Sequence, residues 1–455
     1  MNHRLEHDLL GEREVPLDAY WGIHTLRALE NFPACTRPVT GRLVAALALV
    51  KKACCETNRE LGYLEAPVAG AIQSACDAVI NGNLADQFPL DALQGGAGTS
   101  LNMNVNEVIA NRGLELLGKA KGDYAALHPI EQVNLHQSTN DVYPTAVKIA
   151  AIEGLRLLNA DIQRLQSALQ AKETQFAGIV IIGRTELQDA VPITLGAQFA
   201  SFAEAFGRDR WRTFKSEERL RCVNLGGTAV GTGMTAPRTY IFLSIEKLRR
   251  LTGMGLFRAE NPMDQTANAD CFVEAAGMLT AYAVNCIKIC GDLRLLHSAG
   301  QLHLPPVQAG SSIMPGKVNP VICEAGISAG LKIKSLTNLV SECACGGTLQ
   351  LCEFMPLLAA SLLEALDIAS ACARMLAAHI PAIEAGVHAE SITSNNVSII
   401  TAFLPRIGYE KAQALIGEFT GSKETDFRLF LTHNLGKDMV DEVLSASNIM
   451  QLGYT

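Results

Sequence analysis

The feature that most constrains the fold is a set of long stretches with helical hydrophobic spacing. Residues 149–173 carry leucine and isoleucine at intervals of three and four, and residues 264–297 continue in the same way. As one helix, the second stretch would span about 50 Å. Two more Ala- and Leu-rich segments occupy residues 320–345 and 356–380. One thin bundle cannot cover apolar faces of this extent, so the pattern predicts a mainly helical protein whose long helices bury one another between subunits.

Composition and charge limit the classes of function. The chain has 455 residues, of which 48% are hydrophobic, so it can bury a large core, and its length suggests two to three domains. The formal net charge is −8 and no basic cluster stands out, so neither a nucleic acid nor an anionic membrane is expected as a partner. The opening residues lack the apolar region of a signal peptide, and no stretch of about 20 residues is free of charges and turn signals. We therefore expect a soluble, cytoplasmic protein.

The thirteen cysteines raise the question of a metal site or disulfides. No CxxC pair occurs, and most cysteines lie in apolar helical text. Cys286 and Cys290 would share one helical face, but no histidine or acid completes a ligand set nearby. The pattern favours buried free thiols in a reducing compartment, and we expect no metal. No cofactor is expected either, because the Gly-rich stretch at residues 95–98 lacks the spacing of a phosphate-binding loop.

The most informative segment for function is the run GSSIMPGKVNP at residues 310–320. Its glycines and prolines disfavour a helix or a central strand and predict a loop. A loop that carries hydroxyls, a cation and an amide suggests a site that binds an anion and moves a proton. The alternative, from composition alone, is a polar surface turn.

The run matches the signature loop GSSxMPxKxNP of the aspartase/fumarase superfamily. Further blocks match that superfamily in its own order: QGGAGTSLNMNVNEVIANRG at 94–113, HQSTNDVYPT at 136–145, GRTELQDAVPITLG at 183–196 and VNLGGTAVGTG at 223–233. The opening segment, RLEHDLLGEREVPLDAYWGIHTLRALENFP, and the MPGK form of the loop resemble the aspartases more than the fumarases. Together the blocks cover nearly the whole chain, which is identified as a member of this superfamily.

The resemblance implies a fold and an assembly. It implies a mainly α, three-domain subunit with a central bundle of long helices, which joins in a homotetramer with a multi-helix core. We place the domains at residues 1–137, 138–390 and 391–455. In the family, each active site is assembled from blocks of three different subunits.

The implied chemistry is elimination across a succinyl skeleton by a carbon–nitrogen lyase. The proton beside a carboxylate is very weakly acidic, because its removal puts a second negative charge on that carboxylate. The site must therefore stabilise a dianionic aci-carboxylate with placed donors, supply a base, and fix the other carboxylate.

The resemblance assigns these roles to particular residues. Four short hydroxyls would surround the carboxylate that becomes the aci-carboxylate: Thr99, Ser138, Thr139 and Ser312. Lys317 and Asn319 would hold the other carboxylate, one as a point charge and one as a directional donor. Asn140 would lie near the leaving amine. Ser311 would be the base, and its alkoxide would need stabilisation by the loop's backbone amides and by Lys317.

Each of these residues also has a purely structural interpretation. The run at residues 138–140 could be a helix cap or an Asx turn, which is the usual role of such residues. Thr99 could close a Gly-rich turn, and Lys317 could be a solvated surface lysine. The ordered blocks favour the functional interpretation.

By the same resemblance, Thr185 and Glu186 would also be substrate-binding residues. The chain departs from the family pattern here, because Glu186 replaces a histidine or glutamine that in the family lies next to the substrate's carboxylate and amine. An ionised Glu186 would repel a carboxylate and attract an ammonium group. Three explanations are open for Glu186 at this position: its side chain is turned away or paired, its carboxyl is protonated, or the substrate carries an extra positive group. The plain alternative is a substitution that the site tolerates.

Two further departures lie elsewhere. The segment before the signature loop is shortened and contains His297 and His303, for which surface or packing roles are expected. A segment that typically reads LNV reads LCE, with Cys352 and Glu353. Glu186 and Glu353 together could favour a substrate with a second amine.

The sequence thus predicts elimination of ammonia from L-aspartate to give fumarate. The alternatives are a lyase for an N-substituted aspartate or a diamino-succinate, a fumarase-type hydratase, and a helical tetramer retained for a structural role.

Overall fold

The protein is predominantly helical in the computed structural model, which describes residues 3–33, 37–387, 389–451 and 453. These residues form seventeen α-helices: α1 (Ile23–Asn31), α2 (Gly41–Glu60), α3 (Ala66–Ile80), α4 (Thr99–Leu116), α5 (Thr139–Gln175), α6 (Leu195–Leu220), α7 (Arg238–Thr252), α8 (Pro262–Ala267), α9 (Asp270–Ser298), α10 (Val321–Cys345), α11 (Met355–His379), α12 (Ala389–Ser394), α13 (Leu404–Ile407), α14 (Tyr409–Gly421), α15 (Phe427–Leu435), α16 (Lys437–Val443) and α17 (Ala446–Ile449). The predicted mainly α fold class is confirmed.

In the described part of the chain, the strands form four two-stranded sheets. Their strands are β1 (His3–Asp8), β2 (Gly11–Pro16), β3 (Val180–Thr185), β4 (Gln188–Thr194), β5 (Cys222–Val223), β6 (Phe257–Arg258), β7 (Leu302–His303) and β8 (Glu384–Ala385). The pairs β1–β2, β3–β4 and β7–β8 are antiparallel, and β5–β6 is parallel.

The long predicted helices are present, with two differences at their starts. Helix α5 begins at Thr139, ten residues before the periodic leucine pattern that predicted it. The stretch at 264–297 is not one helix, so that prediction is wrong: α8 ends at Ala267 and α9 begins at Asp270. The physical reason is a local cap, in which Asn268 is extended and donates from its backbone and its side chain to Asp264.

The chain divides into two compact units. The first contains residues 1–157, 212–280 and 333–367, and the second contains residues 158–211, 281–332 and 368–455. This is a division by packing, and the three-domain boundaries at 137 and 390 stay a prediction.

In the first unit, α2 packs against α3 and α7, and α4 packs against α1 and α3. The buried Glu107 of α4 accepts hydrogen bonds from the backbone N–H groups of Gly22, His24 and Thr25, at the start of α1. An anion at a helix N-terminus satisfies otherwise unpaired donors, so α1 is held firmly onto α4.

In the second unit, α15, α16 and the residues before α13 form an apolar cluster around Phe403, Phe427 and Phe430. Ile182 of β3 belongs to the same cluster and anchors the β3–β4 hairpin on it.

Helices α9 and α11 satisfy the length and composition expected of a membrane-spanning helix. However, 50% of the most apolar window of α9 and 67% of that of α11 are buried within the structure. Core helices with this burial have the same composition, so these helices are weak evidence for a membrane.

The twelve cysteines within the described residues are free thiols, and most of them are buried. This agrees with the predicted free thiols; Cys35 lies outside the described residues.

Candidate active site

Thr99 is the first residue of α4 and follows a tight glycine turn. Gly98 has φ +97°, and a Cβ atom there would lie 2.5 Å from the ring of Tyr143 on α5. Only glycine tolerates both the left-handed backbone and this close approach. The turn therefore packs the start of α4 against the first turns of α5, so that two helix N-termini lie near each other.

Ser138 and the first turn of α5 form a reciprocal cap. The Ser138 hydroxyl accepts from the backbone N–H of Asn140 at 3.2 Å, and Asp141 Oδ1 accepts from the backbone N–H of Ser138 at 3.0 Å. The spacing is that of a capping box with aspartate in the place of glutamate. The structural interpretation of Ser138 as a cap is thus correct, and a cap that leaves the hydroxyl half-buried is compatible with substrate binding.

Thr139 and Asn140 follow Ser138 and carry a hydroxyl and a side-chain amide. The Thr139 hydroxyl oxygen accepts from Asn102 Nδ2 at 3.1 Å. Asn140 Nδ2 donates to the backbone carbonyl of Ala229 at 2.7 Å, which leaves its Oδ1 without a donor in the described part of the chain. An acceptor oxygen at this place suits an ammonium group.

Asp141 is a buried residue that the sequence did not single out. Its Oδ2 accepts from the backbone N–H groups of Gly226 and Thr228, at 3.1 and 3.0 Å. Burial raises the pKa of Asp141 to about 6, against the lowering effect of these hydrogen bonds. The carboxylate therefore ties the 223–233 block to the start of α5. The capping-box spacing from Ser138 was the signal that could have identified it.

The signature loop at 310–320 is irregular and largely exposed. The Ser311 hydroxyl oxygen accepts from the backbone N–H groups of Ile313 and Met314, at 3.2 and 2.9 Å. Two donors on one oxygen favour negative charge on it, as an alkoxide requires.

The ends of this loop are closed by two hydrogen bonds. The backbone N–H of Gly310 donates to the carbonyl of Lys317 at 2.7 Å, and Asn319 Nδ2 donates to the carbonyl of Gly310 at 2.9 Å. A Cβ at position 310 would lie 2.7 Å from that Lys317 carbonyl oxygen, so the closure requires glycine. Asn319 keeps one amide hydrogen for another partner. Lys317 and Ser312 are exposed, and no hydrogen bond or ion pair involves their side chains within the described residues.

Thr185 and Glu186 lie at the turn of the β3–β4 hairpin. Glu186 and Leu187 both have positive φ, +50° and +64°, in a turn that usually contains asparagine and glycine. Glu186 is exposed, and within the described residues it makes no hydrogen bond or ion pair. It borders a groove of about 520 Å³ that Lys288 and Asp292 of α9 also line. Glu186 is therefore not turned into the core, and it has no partner among the residues that the structure describes.

The other departures from the pattern are locally satisfied. Glu353 accepts from the backbone N–H and the hydroxyl of Thr348, which lowers the pKa of its carboxyl and closes a surface turn. His297 Nδ1 accepts from the backbone N–H of Leu304, and its ring packs edge-on against His303. These contacts give Glu353 and both histidines structural roles.

The structure thus groups the predicted site residues by location. Thr99, Ser138, Thr139 and Asn140 gather at two neighbouring helix N-termini of the first unit. In the second unit, Ser311, Ser312, Lys317 and Asn319 share one loop, whereas Thr185 and Glu186 lie on the hairpin. Within the described residues, no hydrogen bond joins that hairpin turn to the loop.

The first group places hydroxyls at helix N-termini, and the loop combines a serine oxygen that has two backbone donors with a lysine that has no partner within the described residues. The profile of the lyase family matches residues 11–334, and the chain belongs to that family. The predicted membership in the aspartase/fumarase superfamily is confirmed, as is the prediction of a lyase.

Individual relatives are similar over almost their full length. The aspartate ammonia-lyase of Pseudomonas aeruginosa is 44% identical over 90% of this chain and 88% of its own. The aspartate ammonia-lyase of Escherichia coli is 40% identical over 100% of this chain and 97% of its own. Among solved structures, the fumarate lyase:delta crystallin of Brucella melitensis bound to cobalt has a TM-score of 0.94 at 40% identity, covering 98% of this chain and 99% of its own. The class II fumarase of Schistosoma mansoni has a TM-score of 0.91 at 28% identity, covering 98% of each chain.

Proposed function

We propose that the protein eliminates ammonia from L-aspartate to give fumarate. The observation that carries the proposal is the Ser311 hydroxyl oxygen with its two backbone donors, in a loop that also presents Lys317. Aspartate ammonia-lyases at 40–44% identity support the choice of substrate. We further propose that the protein acts in the cytoplasm.

In this reaction the Ser311 alkoxide takes a proton from the carbon beside the side-chain carboxylate. The C–H electrons form the carbon–carbon double bond, and the C–N electrons leave with ammonia. The negative charge that develops on that carboxylate is stabilised by hydrogen bonds from the hydroxyls of Thr99, Ser138, Thr139 and Ser312.

The remaining residues position the substrate. Lys317 and the free amide hydrogen of Asn319 bind the α-carboxylate, and Asn140 Oδ1 accepts from the α-ammonium group. The 223–233 block holds Asn140 through Ala229, so the acceptor is fixed before substrate arrives.

We infer that the functional assembly is a homotetramer, with each site formed from blocks of three subunits. The two groups of site residues on this chain would then serve different sites, each completed by partner subunits.

The first test follows the absorbance of fumarate after L-aspartate is added to the purified protein. We expect the wild type to produce fumarate and Ser311→Ala to lose at least about a thousandfold in kcat, because no other group at that position accepts the proton. Ser422→Ala, which removes an exposed hydroxyl outside the loop, is the control and should keep full activity. A Ser311→Ala variant as active as the control would contradict the proposed base.

A second candidate substrate is an aspartate derivative with another amine, favoured by the exposed carboxylate of Glu186, for which the described residues supply no partner. If Glu186 selects such a substrate, Glu186→Gln should raise turnover of plain aspartate severalfold, because an anion no longer repels the dianionic substrate skeleton. Steady-state kinetics on aspartate decide this, and unchanged turnover rejects the selection role.

A further inference from the structure

A buried polar cluster lies behind Thr139. Its centre is Lys51 of α2, which is fully buried and donates to Asn134 Oδ1 and Gln137 Oε1, both at 3.3 Å. Burial lowers the pKa of Lys51 to about 8, so the side chain is still an ammonium at neutral pH. No carboxylate hydrogen-bonds to it within the described residues, and amide oxygens solvate the charge instead.

The ammonium of Lys51 determines the orientation of the Asn134 amide. An ammonium has only donors, so the Asn134 atom that faces it must be the oxygen. The other end of the amide agrees, because Asn134 Nδ2 donates to the backbone carbonyl of Gln137 at 3.2 Å. Both contacts fix one orientation of the Asn134 amide, whose oxygen and nitrogen ends have nearly the same shape.

The Asn134 oxygen in turn orients Asn102 on α4. Asn102 Nδ2 lies 3.4 Å from Asn134 Oδ1 and 3.1 Å from the hydroxyl oxygen of Thr139. A flipped Asn102 amide would set its oxygen against Asn134 Oδ1, and an amide oxygen cannot donate a hydrogen bond. Its nitrogen therefore faces Thr139.

The hydroxyl of Thr139 consequently acts as an acceptor on its Asn102 side. Its oxygen accepts from Asn102, and its single hydrogen has no acceptor within the described residues. A hydroxyl that accepts one hydrogen bond is polarised into a better donor. The hydrogen is thus available to donate to a ligand.

We propose that the chain Lys51–Asn134–Asn102 orients the Thr139 hydroxyl as a hydrogen-bond donor to the substrate carboxylate, which makes Asn102 a positioning residue. The proposal rests on the proposed function, in which Thr139 contacts that carboxylate. It assigns a role to a buried asparagine that touches no substrate.

The test is a double-mutant cycle between Asn102 and Thr139, read by calorimetric binding of succinate. Succinate has both carboxylates but no leaving amine, so its affinity reports the donor without the chemistry. We expect Asn102→Leu to weaken succinate binding about tenfold in the wild type. In a Thr139→Val background, where no hydroxyl remains to orient, the same change should cost less than about twofold.

Asn106→Leu is the matched control. Asn106 is equally buried on the same helix and also donates to Asn134 Oδ1, at 3.2 Å, but within the described residues no hydrogen bond joins it to Thr139. It should alter succinate affinity by less than about twofold. Circular dichroism verifies folding, and if Asn102→Leu does not fold, Asn102→Asp replaces it, because an aspartate keeps the shape and its charge effect cancels in the cycle.

The outcomes separate this inference from the proposed function. Equal costs of the Asn102 change in both backgrounds, or equal costs of the Asn102 and Asn106 changes, would overturn the inference, as would a wild type that does not bind succinate. A wild type that makes no fumarate from aspartate but shows the expected cycle would overturn the proposed substrate and support the role of Asn102.

Discussion

At the scale of single residues, buried polar side chains hold the candidate site together. Asp141 accepts three backbone hydrogen bonds, from Ser138 at the start of α5 and from Gly226 and Thr228 in the 223–233 block. A carboxylate has enough lone pairs for all three, whereas a neutral amide must turn its NH₂ group toward at least one donor. The charge of Asp141 is therefore required for the hydrogen bonds that connect the 223–233 block with the start of α5, where Ser138, Thr139 and Asn140 lie.

Asp141→Asn should lower kcat/KM on aspartate at least about tenfold, because one backbone N–H is left buried and unpaired. Since the pKa of Asp141 is raised to about 6, the wild type should also lose kcat/KM as the pH falls through that value and the carboxyl gains a proton. The inflection should be absent in Asp141→Asn. A pH–rate profile of both proteins checks this, and an identical inflection in the variant would exclude Asp141 as its origin.

At the scale of the elements, close backbone approaches determine how helices meet. The first turn of α6 packs on the end of α5, where the backbone N–H of Gly196 donates to the carbonyl of Phe176 at 3.0 Å. A Cβ at Gly196 would lie 2.6 Å from the carbonyl oxygen of Glu173 and 2.8 Å from the Ala177 backbone. Backbone atoms cannot move aside as a flexible side chain can.

Gly196→Ala should therefore lower the free energy of unfolding by about 1–3 kcal/mol. Gly417, within α14, has open space around it, so Gly417→Ala should raise the free energy of unfolding by up to about 1 kcal/mol, through the better helix propensity of alanine. Denaturant unfolding of both variants is the measurement. A stabilising Gly196→Ala would show that the two helices separate easily.

At the scale of the whole molecule, the proposed tetramer can be tested through its shared sites. Ser311 and Thr139 belong to different blocks, which the proposal places on different subunits of each site. Ser311→Ala and Thr139→Val proteins, each with low activity, should regain activity when they are unfolded together and refolded as mixed tetramers. Random mixing should restore about one quarter of the wild-type sites.

Activity in the refolded mixture no higher than in the separately refolded variants would show that both residues serve one site from the same subunit. Separately refolded wild type is the control for recovery.

Much of the fold and of the candidate site was predictable because it is local in the chain. The periodic leucines predicted α5, α10 and α11, and the glycines and prolines predicted an irregular signature loop. The break between α8 and α9 was missed, because apolar periodicity continues across Asn268 while its side chain caps the preceding helix. Asp141 and Asn102 were also missed, since a buried polar residue looks like any surface residue until its partners are known.

The sequence by itself determined that this is a helical lyase with an ordered set of site blocks, since helix periodicity, caps and turn residues act between near neighbours in the chain. Only the tertiary structure decided which buried groups support those blocks. Lys51, Asn102 and Asn134 lie on separate segments, and their hydrogen bonds exist because packing brings α2 and α4 beside the start of α5. The hydrogen bond that Thr139 accepts from Asn102 belongs to a chain of three side chains far apart in sequence, and no local pattern encodes it.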